Sequence, residues 1–298
     1  MLADRAQRGS VAILALWTMA IVAVLLAAAG ATTRSETLIA RNMIAAGRVR
    51  HAAEAGTQLG LERLLRRRAA GENAFDGTPE YWQDGSIRVT ISIIDEAGKI
   101  DLNLAPVELL AGLFRAVGQP RETALLLACN IADWRGEVGF GCPEPLDTMP
   151  ERRHRFAVPE QLAQVPGITE PLYQRVADYI TVATGASAIA PLVASRTVLL
   201  AVPGATPTLV DSFLESRRQG GGAEMVPPAA GPVPFLMASP GIDFTISAVA
   251  ATRDGARFRA ELQVRMTQQP NRPYQVLAWR TPPAEPARDR TPMPHRVP

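Results

Sequence analysis

The most strongly apolar stretch of the chain lies near its start, between Arg8 and Arg34, where no residue is charged. It is apolar almost without interruption over residues 11–31. About 20 residues rising about 1.5 Å each cross about 30 Å of hydrocarbon, so the pattern predicts a single transmembrane helix. A secretory signal peptide is the alternative, with Ala27-Ala28-Ala29 as its cleavage site, although the apolar region of such a peptide normally covers about 7–15 residues.

The helical pattern continues beyond this apolar stretch. No proline occurs between Thr33 and Arg68, and Gly71 then ends the pattern. Apolar residues recur at intervals of three, four or seven against arginines and glutamates, as in an amphipathic helix. They are Leu38, Ile39, Ile44, Val49, Ala52, Ala53, Leu59, Leu64 and Leu65. A helix over residues 10–70 would be about 90 Å long, more than a small domain buries along one side, so it predicts partners outside its own domain.

Alternation of polar and apolar residues predicts strands in two separate parts of the chain. The first strand is SIRVTISII at 86–94, which follows a loop of turn-forming residues at 71–85. The later strands are 241–251, 256–268 and 274–280. The Asp254-Gly255 pair between the first two of these is a strong hairpin signal. Together the strands predict one antiparallel sheet packed on the outer half of the long helix.

The segment between these strands is helical in pattern over residues 101–218 and contains a repeat. LAQVPGIT, which begins at Leu162, and LLAVPGAT, which begins at Leu199, lie 37 residues apart. Residues 101–118 are a candidate for a degenerate third copy. A helix, a Pro-Gly turn and a second helix, when repeated, resemble helix-hairpin-helix modules.

The N-terminus carries a family resemblance. A short basic leader that ends in a glycine, a long apolar stretch and an amphipathic continuation of the same helix resemble a type IV pilin or pseudopilin. The resemblance implies that prepilin peptidase cuts after Gly9 and that Ser10 becomes the methylated first residue. Nearly all pilins carry a glutamate at the fifth position after the cut, where this chain has Leu14. That departure resembles the minor pseudopilin K of type II secretion systems. Other stretches that resemble this family are 40–56, 95–106, 131–137 and 158–168.

The resemblance implies a fold, a location and a set of partners. The fold is α+β and pilin-like, with a long N-terminal helix on a small antiparallel sheet and a large inserted all-α domain. The implied protein is a tip or initiator subunit of the periplasmic pseudopilus, anchored by one helix in the bacterial inner membrane. Its partners are minor pseudopilins I and J, the major pseudopilin and prepilin peptidase.

These patterns together predict a domain organisation of seven consecutive parts. They are a leader (1–9), the transmembrane and amphipathic helix (10–70), a first part of the pilin-like domain (71–100), the inserted helical domain (101–218), a linker (219–234), the C-terminal strands (235–280) and a disordered tail (281–298).

The two cysteines, Cys129 and Cys142, lie 13 residues apart. The topology implied by the resemblance places them outside the cytoplasm, where thiols tend to oxidise. A disulfide is therefore predicted. The alternative is one buried thiol and one exposed thiol.

Four acidic residues, Asp133, Glu137, Glu144 and Asp147, accompany a glycine-rich turn in the same segment. Their carboxylates are the oxygen ligands that calcium prefers, and the K family is associated with calcium. They are thus candidate calcium ligands, and a solvated acidic loop is the alternative.

The sequence gives no enzyme motif. Gly98-Lys99 lacks the preceding glycine and the following Ser or Thr of a P-loop, and none of the three histidines has a partner at metal-ligand spacing. We therefore expect no enzymatic activity and no required cofactor.

Nucleic-acid binding is the alternative function, because paired helix-hairpin-helix modules often bind the duplex backbone. The chain would then be a membrane-anchored DNA receptor. The net charge is only +2, however, and each Pro-Gly turn has one glycine. Glu170 and Asp211 follow these turns where a phosphate would need positive charge. We therefore expect no nucleic-acid partner.

Overall fold

The computed structural model of the chain describes residues 3–72, 74–137, 142, 154–219, 235–269 and 271–282. For residues 3–13 and 26–39, it describes the helical backbone alone. The predicted linker and tail lie almost wholly outside the described residues, so both stay predictions.

A single helix, α1, covers Ala3–Ala69, in agreement with the sequence pattern. Its buried residues begin at Val49 and recur every three or four positions from there. They are Val49, Ala52, Ala53, Gly56, Thr57, Gly60, Leu61 and Leu64. Before Val49, every side chain that the structure describes is exposed or half-buried. The rest of the chain therefore covers only the last third of α1.

Seven strands occur in the described residues. They are β1 (Glu80–Asp84), β2 (Ile87–Asp95), β3 (Ile100–Asp101), β4 (Ile180–Thr181), β5 (Asp243–Ala251), β6 (Arg257–Gln269) and β7 (Arg272–Arg280). Five of them form a sheet in the order β1-β2-β5-β6-β7, in which all neighbours are antiparallel. Helix α1 lies across β2, β5 and β6. The predicted α+β class and the long helix packed on an antiparallel sheet are thus confirmed.

Two glycines bring α1 very close to the sheet. A Cβ atom on Gly56 would lie 2.7 Å from Cγ1 of Val89, and one on Gly60 would lie 2.5 Å from Cγ2 of Ile246. Carbon atoms do not pack this closely, so any larger residue at either position would push the helix away from the sheet. The buried apolar face of the strands can therefore contact the helix backbone itself.

Strand β1 corrects the prediction of a loop over 71–85. Its five residues pair with β2, and Asp84 lies opposite Ile87. The two residues between them form a tight turn in which Gly85 has a φ of +56°. Asp84-Gly85 is the same dipeptide that marks the hairpin at Asp254-Gly255, so the sequence contains a hairpin signal here as well. The residues of β1 are polar and do not alternate with apolar ones, because a short edge strand needs little apolar surface.

Among the described residues between β2 and β5 there are five further α-helices. They are α2 (Val107–Ala116), α3 (Arg121–Trp134), α4 (Glu170–Val176), α5 (Arg196–Ala201) and α6 (Pro207–Arg218). Their buried side chains form a hydrophobic cluster separate from the one between α1 and the sheet. The region is not wholly helical as predicted, because β3 and β4 form a short parallel pair within it.

The two ends of this helical region meet inside the sheet. Asp95, the last residue of β2, lies directly opposite Phe244 of β5. Residues just before β5 stay with the helical region, since the N–H of Ile189 donates to the carbonyl of Phe235 and the carbonyl of Ile189 accepts from the N–H of Met237. The helical region thus occupies the place of a hairpin turn between two neighbouring antiparallel strands.

The glycines of α1 give a test of this packing. Gly60→Ala should destabilise the protein by up to about 2.5 kcal/mol, because overpacking costs about 1–3 kcal/mol and alanine returns only about 0.5–1 kcal/mol of helix propensity. Gly47→Ala is the matched control, since no atom lies within 4 Å of its added Cβ. It should stabilise the same helix by about 0.4–1 kcal/mol. Denaturant unfolding of both variants measures the difference, and equal effects would contradict the close packing.

Candidate assembly surface

The N-terminal part of α1 holds the residues predicted for processing and assembly. Gly9 and Ser10 lie within the helix, and the structure describes only the backbone at these two positions. The side chain of Leu14 is 68% exposed, and the apolar side chains from there to Leu25 are also exposed. No described part of the chain covers this segment. Within the residues that were described, no helix is long and apolar enough to cross a membrane.

A second exposed apolar face lies on α1 just before the sheet begins. Ala40, Ile44, Gly47 and His51 follow one another at intervals of four, three and four residues, so they share one side of the helix. Met43 borders this side and is 70% exposed, and Ile44 is 58% exposed. The side that packs on the sheet is made of other residues, so this face points away from it. We call these four residues with Met43 the open face of α1.

Arginines flank the open face. Arg41 and Arg48 lie seven residues apart along one edge, and both are exposed. Neither forms an ion pair with any described residue. On the other edge, Nε of Arg50 lies 2.9 Å from a carboxylate oxygen of Glu54. This hydrogen bond lowers the pKa of the Glu54 carboxyl below its ordinary value. Glu54 also contacts the ring of His51 at 3.2 Å, so this edge carries a balanced pair of charges and only the edge with Arg41 and Arg48 is basic.

Strand β7 extends the exposed apolar surface along the sheet. Trp279 and Val276 lie opposite Leu262 and Val264, whose side chains are buried under α1. Helix α1 does not reach β7, so Trp279 stays 43% exposed and Val276 50% exposed. A groove separates α1 from β7 here, with Gln58 and Tyr274 among its lining residues. The sequence predicts this strand as part of the sheet under α1 but not its exposure, because alternation alone does not show where a covering helix ends.

The turns of the two predicted repeats have the same backbone conformation. A glycine in each turn is left-handed, with φ +84° at Gly167 and +83° at Gly204. In the first repeat, the N–H of Ile168 donates to the carbonyl of Val165 at 3.1 Å, and in the second the corresponding bond from Ala205 to Val202 is 3.0 Å. The segments before the turns differ, since Pro159–Gln164 is a 3-10 helix and α5 is an α-helix.

Polar and charged side chains beside the two repeats form contacts within the protein. Arg196 of α5 binds Asp211 of α6 through two hydrogen bonds of 2.6 and 3.0 Å, which ties the two helices of the second repeat together. This pairing lowers the pKa of the Asp211 carboxyl. In the first repeat, the side-chain amide of Asn130 donates to the carbonyl of Pro166 at 2.9 Å and joins the turn to α3. These contacts account for residues near both turns without a bound phosphate.

Cys129 and Cys142 form a disulfide in the structure, with their Cα atoms 5.6 Å apart. Cys129 belongs to the buried side of α3. Cys142 is the only residue between 138 and 153 that the structure describes. Formation of this disulfide in the native compartment stays a prediction.

The candidate calcium ligands are only partly within the described residues. Glu144 and Asp147 lie outside them, whereas Asp133 and Glu137 are described. A carboxylate oxygen of Glu137 lies 2.7 Å from the nearly buried guanidinium of Arg135, so this group already has a cationic partner. No cluster of three or more His, Cys, Asp or Glu side chains suited to a metal occurs in the described part of the chain. The calcium site therefore stays a prediction.

A buried carboxylate marks the junction between the sheet and the helical region. Asp95 accepts hydrogen bonds from the backbone N–H of Ala97 and from the hydroxyl of Ser239, at the two ends of the inserted segment. Burial nevertheless raises the pKa of this carboxyl above its ordinary value. A second junction contact links Arg217 of α6 to Asp76 at 3.3 Å. Polar contacts thus fasten the two cores to each other.

Comparison with solved structures gives a weak structural likeness. No family model and no curated protein matches the chain. Among solved structures, the chain is similar to one in the crystal structure of the GspK-GspI-GspJ complex of the type 2 secretion system from enterotoxigenic Escherichia coli. The identity is 13% and the TM-score 0.45, over 78% of this chain and 100% of the matched chain. A likeness at this level does not show a function, so the function of the chain has to be inferred from its own residues.

Removal of the disulfide should destabilise the protein. Closing a loop of this length contributes about 3 kcal/mol by the chain-entropy account, so the double variant Cys129→Ala/Cys142→Ala should lose about that much unfolding free energy. Reductant should destabilise the wild type to a similar extent and leave the variant unchanged, which provides the control. Two titratable thiols in the protein purified without reductant from its native compartment would contradict the prediction.

Proposed function

We propose that the chain is a minor pseudopilin of a type II secretion system, of the K type, and helps to export folded proteins across the outer membrane. Prepilin peptidase cleaves it after Gly9, and Ser10 becomes the methylated N-terminus. Residues 11–31 span the inner membrane, and the sheet and the helical region lie in the periplasm. The chain acts as a structural subunit and not as an enzyme.

The observation that carries this proposal is the distribution of burial along α1. The helix has 67 residues, which corresponds to about 100 Å, yet its own sheet covers it only from Val49 onward. A helix of this length forms stably only if something packs on its apolar residues. A bilayer around residues 11–31 and neighbouring subunits around the following turns supply that packing.

The helical region between β2 and β5 is proposed to be an inserted domain with helix-hairpin-helix-like repeats. Its separate hydrophobic cluster supports this, as do the matching turns at Gly167 and Gly204. Its ends enter and leave at Asp95 and Phe244, which lie opposite each other in the sheet. A domain inserted at this point leaves the strand order undisturbed.

The position in the filament follows from Leu14. In a pilin filament, the glutamate at this position pairs with the N-terminal amine of the subunit above. An unpaired buried charge costs several kcal/mol, so this pairing drives and registers the addition of each subunit from below. Leu14 cannot neutralise such an amine. The chain therefore suits the first position, at the tip, where minor pseudopilins I and J join it and no subunit lies above.

The processed N-terminus tests the proposed family. Intact-mass and N-terminal peptide analysis of the membrane-extracted protein should show a chain that begins at methylated Ser10. Gly9→Leu should abolish cleavage, because the peptidase of the resembled family cuts after a glycine, whereas Gly30→Leu should leave it unchanged. A mature chain that begins at Met1 or near Gly30 would contradict the proposal.

The tip position is tested with labelled filaments. In cells that overproduce the major subunit, label on the helical region should appear at one end of each filament. A variant with Leu14→Glu, in which Asn-Gly replaces residues 97–242 and the label is attached to the C-terminus instead, should enter the shaft, because it gains the missing charge and loses the bulky region. The same replacement with Leu16→Glu is the control, since it adds an equal charge at the wrong position. Label along the shaft in the wild type would defeat the tip assignment.

A further inference from the structure

We propose that the segment that follows β7, residues 283–298, folds back along this strand as a polyproline II helix and covers its exposed apolar side. We call this segment the tail, and it lies outside the described residues. The apolar side of β7 consists of Tyr274, Val276 and Trp279, which we call the β7 strip. Both partners belong to one chain, so this contact does not depend on the proposed function.

The β7 strip lies on the less protected edge of the sheet. Val276 and Trp279 are about half-exposed, although the β6 residues opposite them are buried under α1. The other edge strand, β1, has only five residues and carries acidic side chains at both ends, and short length and charge are common ways to protect an edge. Strand β7 has nine residues and no acidic one. The strip therefore calls for a cover that the described part of the chain does not supply.

The area of the strip selects the kind of cover. A strand of nine residues is about 30 Å long and about 5 Å wide, so one side of it offers about 150 Å². Stable complexes between separate proteins bury about 800 Å² on each partner, so neither another protein nor a second copy of this chain would stay bound by the strip alone. A segment joined directly to the end of β7 has an effective concentration in the millimolar range and needs far less contact. The tail is such a segment.

The composition of the tail fits a surface with aromatic rings. It begins with Pro283-Ala284-Glu285-Pro286, in which two prolines lie three residues apart. A polyproline II helix has three residues per turn, so both prolines lie on the same side of it. Such segments dock in aromatic-lined grooves, and their preformed conformation keeps the entropy cost low. Tyr274 and Trp279 supply the rings. Proline donates no backbone hydrogen bond, so the tail covers the strip with its side chains and does not add to the sheet as a strand.

The lengths of the two segments agree. From Trp279 to Tyr274 the strand extends about 16 Å over five residues. From Pro283 to Arg288 a polyproline II helix extends about 16 Å over the same number of residues. The chain has to reverse before Pro283, where a Pro-Pro pair is typical of turns. With Pro283 on Trp279, Arg288 reaches the end of the strip at Tyr274.

An acidic side chain lies at this end of the strip. Glu62 of α1 lines the same groove as Tyr274. One of its carboxylate oxygens accepts a hydrogen bond of 2.7 Å from Arg66. A carboxylate can accept from two arginines, so Arg288 of the tail can bind Glu62 as well. The contact therefore combines two prolines on aromatic rings with one ion pair.

Photo-crosslinking in the purified full chain tests this contact. A benzoylphenylalanine at position 287 should link to residues 273–276 of β7 or 58–66 of α1, as mapped by peptide mass spectrometry. An equal mixture of isotope-labelled and unlabelled chains should give links within one isotopic form, because the tail docks on its own chain. Links only between the two forms would overturn the proposal, and so would links spread evenly over the surface of the chain.

Variants in the tail show which residues carry the contact without changing the folded part of the chain. Pro283→Ser/Pro286→Ser should reduce the yield of these links fivefold or more. Pro292→Ser/Pro294→Ser is the matched control, since it removes the same number of prolines beyond the end of the strip, and it should leave the yield unchanged. Equal yields from the two double variants would overturn the polyproline docking.

The ion pair is tested in the same assay. Arg288→Glu should reduce the yield threefold or more, and the charge swap Arg288→Glu/Glu62→Arg should restore it. Arg296→Glu is the control, because it changes the net charge equally at a position beyond the strip. Equal yields from Arg288→Glu and Arg296→Glu would overturn the pairing of the tail with Glu62.

Discussion

The close contact between α1 and the sheet is the constraint on which the rest of the structure depends. Gly56 and Gly60 allow the helix to lie directly on the side chains of β2 and β5. Because both glycines lie on one side of the helix, this contact fixes the rotation of α1 about its axis. The rotation in turn decides which residues of the uncovered two thirds point away from the sheet. The open face around Gly47 is therefore set by packing that occurs about two and a half to three and a half turns further along the helix.

The sheet also explains how so large a helical region is accommodated. Its ends are the paired residues Asp95 and Phe244, so the strands on either side need no adjustment. The junction is polar, since Asp95 binds Ser239 and Arg217 binds Asp76. A polar junction between two separate hydrophobic clusters allows each to pack independently. This arrangement is consistent with a domain added to an existing sheet.

Much of the fold was predictable because it depends on local periodicity. The length of α1 and four strands of the sheet follow from spacing that the sequence shows directly. Strand β1 was missed because its residues are polar and its main signal, Asp84-Gly85, is only two residues long. The parallel pair β3–β4 has two residues in each strand, which is too short for an alternation of polar and apolar residues to be recognised. The exposed strip on β7 could not be predicted, because exposure there depends on where α1 lies across the sheet.

The three internal glycines in the last part of α1 show what a sequence cannot distinguish. Gly47, Gly56 and Gly60 all interrupt an otherwise good helical pattern, and each looks equally costly in isolation. The structure separates them, because two are in contact with the sheet and one faces open space. A glycine inside a helix lowers the stability of that helix. Where no residue of the same chain packs against the glycine, a contact outside the chain is expected to offset this loss. Gly47 is separated from the apolar segment at 11–31 by residues 32–46, about 22 Å of helix, so such a contact would be distinct from whatever surrounds that segment.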